Sequence, residues 1–208
     1  MDTSSSKRDF VKVNEIRLHY LDWGGEGPAL VFLTGMTCSA YICNSLAPRF
    51  AAKFHVLALD RRGHGDSDYP EIGYDPLTED LRQFLDALKI DQAILVGHSM
   101  SHIELSRFAV LYPERLLKLV FLDAAYNSSS LEFKAVMARI LCRKLSPHRR
   151  WITPIISRIL LPSSKGCPLS GNDLGRSDRG ASLPHASVVE IPSGHHYCFI
   201  KQEETVFD

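Results

Sequence analysis

Short apolar runs alternate with amphipathic stretches along the first two thirds of the chain, a pattern that predicts strands interleaved with helices. Val11–Val13 and Ile16–Asp22 read as two strands of a hairpin turning at Asn14-Glu15, and Gly24-Gly25-Glu26-Gly27-Pro28 then breaks the pattern. Ala29–Thr34 is apolar without alternation, as a parallel strand covered on both faces must be. A helix is predicted over Ser45–Lys53, a second buried strand over Phe54–Asp60, and a loop over Arg61–Ser67. Leu77, Leu81, Phe84, Leu85 and Leu88 then recur at helical spacing behind Asp75-Pro76, which marks a helix packed on a sheet. Gln92–Val96 is a further strand. It runs without a linker into Gly97-His98-Ser99-Met100-Ser101 and a helix that Pro113 ends near Tyr112. Leu116–Asp123 and Ala186–Ile191 complete the predicted strands. Right-handed crossovers assemble such a series into one mostly parallel, doubly covered sheet.

Composition changes this picture at one place. Residues 139–184 hold nine basic residues against two acids, a local charge of +7 that the rest of the chain balances with −7. The apolar run Trp151–Leu161 inside it is interrupted by Pro154, and the whole stretch reads as a poorly ordered, atypical basic segment within a single domain spanning 1–208. It lacks the interleaved aromatics on which bases stack. Over the whole chain 24 Lys and Arg cancel 24 Asp and Glu, which argues against nucleic acid or an anionic membrane as partner. No run of about 18 apolar residues predicts a membrane span, and the polar N-terminus carries no signal peptide, so a cytoplasmic location is the default expectation. The five cysteines are odd in number and scattered, with no C-x-x-C and no paired Cys/His spacing. They read as reduced packing residues, with neither a metal nor a cofactor implied.

The chemistry is concentrated at Gly97-His98-Ser99-Met100-Ser101. A small-x-Ser-x-small pentapeptide between a buried strand and a helix forces a tight turn, with the middle hydroxyl projecting from the sheet edge. Ser99 is therefore the candidate nucleophile, and the helix behind it aims its amides, beginning with that of Met100, at any oxyanion forming nearby. A second oxyanion donor is expected from the glycine bend Leu33-Thr34-Gly35-Met36, at the amide of Met36. His98 is more suited to support than to act as base, because its direction alternates with that of Ser99. Arg62 and His64 read as loop anchors, and His102 as a side chain turned outward from the elbow.

Three more segments, in order, carry a resemblance. They are Asp60-Arg61-Arg62-Gly63-His64-Gly65-Asp66-Ser67, of the form D-x-R-G-x-G-x-S, the strand Leu119–Asp123, and the closing Ile191-Pro192-Ser193-Gly194-His195-His196 with Glu203-Glu204 beyond it. With the serine pentapeptide they make the chain resemble the α/β-hydrolase superfamily, in its small esterase, lipase and haloperoxidase-like branch. The resemblance implies a histidine that takes the hydroxyl proton and an acid that orients it. Counting from Pro192 and back from Glu203 favours His196 over His195 as the base. Asp123, at the end of the sixth strand, is preferred over Asp173 as the acid. Neither the family's helical cap nor its seventh strand is legible, so the cap is expected to be absent or minimal. The resulting expectation is a cofactor-independent serine hydrolase that cleaves a small-molecule carboxylic ester, with short acyl chains favoured by an open pocket. The alternative is an impaired, hydrolase-like binding or regulatory remnant.

Overall fold

A computed structural model describes residues 6–70 and 74–122, together with the strands at 156–162 and 188–191. The hairpin comes first. Strand β1 (Lys7–Val13) pairs antiparallel with β2 (Ile16–Gly24) through a two-residue turn in which Asn14 and Glu15 both have positive φ, 46° and 64°. This is the turn whose twist matches that of the strands it joins. Strands β3 (Ala29–Leu33), β4 (His55–Leu59), β5 (Ala93–His98), β6 (Leu116–Leu122), β7 (Ile156–Pro162) and β8 (Val188–Ile191) continue the sheet. Their order is β1-β2-β4-β3-β5-β6-β7-β8, and every pairing from β4 onward is parallel.

Alternation along β3 distributes its side chains to the two faces, which is why its sequence is apolar throughout. Val31 and Leu33 join Leu57, Leu59 and Leu95 under helices α1 (Tyr74–Ala87) and α2 (His102–Leu111), which contribute Leu81, Phe84, Leu85, Leu105 and Phe108. Leu30 and Phe32 face the other way, with Val56, Ala58 and Val96, and are covered by Ala40, Cys43, Leu46 and Ala47. Phe84, Phe108 and Phe121 are completely buried. Each contributes on the order of 2–3 kcal/mol of transfer free energy.

The two covers differ from expectation in one respect. In place of a helix over Ser45–Lys53, the chain forms two short 3-10 turns, Ala40–Cys43 and Ala47–Phe50. Pro48 opens the second, where its missing N–H removes the donor that a continuing helix would need. The reading of 139–184 as a stretch without a seventh strand is also corrected. Residues 156–162 form β7, which lies between β6 and β8, so the last strand does not pair directly with the sixth. The remainder of 139–184 lies outside the described residues.

This topology points to one location for chemistry. The chain leaves β3 for β4 on one side and leaves β5 for β6 on the other, so the connections diverge between the adjacent strands β3 and β5. Crevices at such a switch point, outside the carboxyl ends of the strands, are where open α/β sheets place their sites.

Candidate active site

At that switch point β5 ends in a sharp elbow. Ser99 has φ of +53°, a left-handed conformation that costs a residue with a Cβ about 1–2 kcal/mol. The neighbours enforce it. The Ser101 hydroxyl donates to the His98 carbonyl at 2.9 Å, and the chain passes through a 3-10 turn, Ser99–Ser101, into α2. A Cβ on Gly97 would come within 2.4 Å of Leu105 Cδ1 and 2.7 Å of Ser101 Oγ, so both small positions are dictated by close packing of helix on strand. His102 does not turn outward. Half-buried, it folds back so that Nδ1 donates to the Ser99 carbonyl at 2.9 Å, and burial pulls its pKa below the ordinary imidazole value. A neutral ring with hydrogen on Nδ1 fits that role.

The stretch after β3 meets the elbow. A Cβ on Gly35 would lie 2.9 Å from Ser99 Cβ and 3.0 Å from His98 Nδ1, so only glycine lets the two chains approach this closely. Met36 follows immediately and is 60% exposed. Ser99, Met100 and Met36 thus lie at one edge of the sheet. Beneath them a small apolar cavity is lined by Thr34, Cys43, Leu46, Val96, His98 and Leu122, among others. Asp123, Asp173, His195 and His196 lie outside the described residues, although β6 ends in register with the elbow, Leu122 opposite His98.

A buried polar layer supports the elbow and the glycine stretch, and sequence reasoning found only its outline. Arg62 does act as an anchor, donating to both oxygens of Asp80 on α1, with Nη2 to Oδ1 at 2.7 Å. His64 Nδ1 lies 3.1 Å from the Arg62 carbonyl oxygen. Arg61 reaches Glu104 of α2 at 3.5 Å with both side chains buried, and burial pushes the Glu104 carboxyl up to about 7. Asp60 is wholly buried against His19 of β2, and a Cβ on Gly65 would collide with its carboxylate at 2.0 Å, which explains the second glycine of D-x-R-G-x-G-x-S. Glu104 and His19 were missed. Their only signal is a charged or polar residue at a position whose helical or strand neighbours are apolar.

Among the described residues, no group of three or more His, Cys, Asp or Glu side chains could hold a metal ion, and no helix is long and apolar enough to cross a membrane.

Comparison with known proteins agrees with this geometry. The family model for the alpha/beta hydrolase fold matches residues 28–141. Epoxide hydrolase 1 of Caenorhabditis elegans is 33% identical over 116 residues, 53% of this chain and 29% of that protein. N-formylmaleamate deformylase of Pseudomonas putida is 39% identical over 103 residues, 48% of this chain and 37% of that enzyme. The chain therefore aligns with well under half the length of these relatives. Among solved structures, the enol-lactonase of Burkholderia xenovorans superposes with a TM-score of 0.71 at 17% identity, over 96% of each chain, a likeness of fold.

Proposed function

We propose that the chain, which belongs to the α/β-hydrolase family, is a serine hydrolase cleaving carboxylic esters through an acyl-enzyme. The observation that carries this reading is the strained Ser99 at +53°, held against Gly35 at the switch point of the sheet. In the proposed reaction Ser99 Oγ attacks the ester carbonyl carbon while His196, oriented by Asp123, takes the hydroxyl proton. The amides of Met36 and Met100 hold the oxyanion of the tetrahedral intermediate. Collapse breaks the bond to the alcohol oxygen, which leaves with the proton from His196. Water then attacks the acyl-enzyme, gives its proton to His196, and releases the acid as Ser99 recovers its hydrogen. No cofactor enters these steps.

The nature of the nucleophile separates this reading from epoxide opening, the activity in the name of one relative. A serine that opened an epoxide would be left as an ether, which water does not cleave, whereas attack on an acyl carbon leaves a hydrolysable ester. The preference for short acyl chains rests on the open pocket that an absent or minimal cap would leave. The test is a substrate series on the full chain: p-nitrophenyl acetate, butyrate and decanoate beside styrene oxide. The expected result is turnover that falls from acetate to decanoate and is absent with the epoxide. Turnover of the epoxide alone overturns the reading, and inactivity of a folded protein toward every ester favours the binding remnant.

A further inference from the structure

The stretch after β3 that carries the expected oxyanion donor is fixed at its far end by another part of the chain. Within it, the Thr34 hydroxyl donates to the Cys38 carbonyl at 3.2 Å, the Cys38 amide donates to the Gly35 carbonyl at 3.3 Å, and the Thr37 hydroxyl donates to the Met36 carbonyl at 2.6 Å. Beyond these, the amide of Ala40 donates to Asp60 Oδ1. Asp60 Oδ2 accepts from His19 Nδ1 at 2.7 Å and from the Asp66 amide at 3.0 Å. A carboxylate only accepts, so all three partners present hydrogens to it, which puts the His19 hydrogen on Nδ1. His19 is wholly buried between the rings of Phe10 and Tyr41, 5.2 and 5.6 Å away, and its backbone amide donates to the Ser67 hydroxyl at 2.8 Å. The Ser67 hydroxyl in turn donates to the Asp60 carbonyl at 2.6 Å. Neither Asp60 nor His19 can move without giving up a buried hydrogen bond.

We propose that Asp60, oriented by His19, is a positioning residue for the oxyanion stretch: by holding the Ala40 amide it sets where Gly35 and the Met36 amide lie against Ser99. Its effect on rate rests on the serine-hydrolase reading, while its effect on the stretch itself does not. Displacement of a reacting group by about 1 Å costs on the order of 10²-fold in rate, and loss of one oxyanion donor about 10²–10³-fold. A residue that acts this way lowers kcat and leaves KM nearly unchanged, because the donor is needed in the transition state and not in the ground state.

The experiment compares the full chain with Asp60→Asn, His19→Leu and His19→Asn. Asparagine at 60 puts N–H groups where acceptors are needed, leucine at 19 removes the donor, and asparagine at 19 retains an N–H near the place of Nδ1. In Asp60→Asn and His19→Leu the amides of residues 35–40 are expected to exchange with solvent at least about 10-fold faster, with β3 and β5 unchanged. In the same variants kcat on p-nitrophenyl acetate should fall about 30- to 100-fold at nearly constant KM. His19→Asn should restore most of both. A folded Asp60→Asn protein with unaltered exchange at 35–40, or with loss confined to KM, overturns the proposal. If Asp60→Asn does not fold, equal behaviour of His19→Leu and His19→Asn overturns it. Absence of ester turnover in the parent overturns the hydrolase reading alone, and amide exchange then decides the role of Asp60.

Discussion

The elbow at Ser99 and the stretch at Gly35 lie on adjacent strands and touch, yet they are held in different ways. The elbow is fixed by its own sequence neighbours: Ser101 bonds the His98 carbonyl, His102 bonds the Ser99 carbonyl, and Leu105 closes over Gly97. The stretch after β3 has short-range bonds from Thr34, Thr37 and Cys38 and is also secured at Ala40 by Asp60, 20 positions along the chain. The conformation of the proposed nucleophile can thus be specified by a pentapeptide, whereas the place of its proposed oxyanion partner depends on tertiary structure.

The largest effect separates strain that serves chemistry from strain that merely persists. Ser99→Gly removes the proposed nucleophile together with the left-handed strain, so p-nitrophenyl acetate turnover should fall by at least about 10⁴-fold while the melting temperature rises or holds. A fall in both would mean that the hydroxyl stabilises the elbow. Next, Gly35→Ala places a methyl 2.9 Å from Ser99 Cβ, and kcat should drop about 10²-fold with a stability cost of about 1–3 kcal/mol. Unchanged kcat would show that the two segments need not touch.

The third effect concerns Glu104, in the layer beneath the elbow. Its carboxyl binds a proton more tightly folded, near pH 7, than unfolded, near 4.5. Between these values the native state holds more protons, so this stabilisation is complete below about pH 4.5 and is lost as pH rises through 7. Glu79 acts in the opposite sense, since hydrogen bonding to Arg82 lowers it to about 2 and its contribution is lost as pH falls toward that value. Comparing Glu104→Gln with the parent isolates the first contribution. Chemical denaturation should show the parent losing up to about 3 kcal/mol relative to the variant between pH 4.5 and 8. Parallel pH curves would contradict the burial of an ionising Glu104. The smallest effect is a control remote from the site: Glu15→Gly relieves a positive φ in the hairpin turn and should add about 0.5–1 kcal/mol with activity unchanged.

The same division between local and long-range causes decides what could be read in the sequence. The hairpin turn at Asn14-Glu15, strand β3, the amphipathic face of α1 and the strand–elbow–helix at Ser99 are all encoded within a few residues, and all were expected. The segment from Ser45 to Lys53 has helical spacing, but Pro48 and the short path back to β4 leave only 3-10 turns. Strand β7 was hidden by basic surroundings and by Pro154, because what makes it a strand is pairing with β6 and β8. Glu104 and His19 were not legible because burial is a property of the packed fold. Asp60 was visible as part of a motif, while its bond to Ala40 was not.

The most direct measurement of the central claim is the intact mass of the protein and its Ser99→Ala variant after incubation with a fluorophosphonate probe. One adduct per parent chain and none on the variant is the result expected of an activated Ser99. An unlabelled but folded parent, or equal labelling of both proteins, would contradict it.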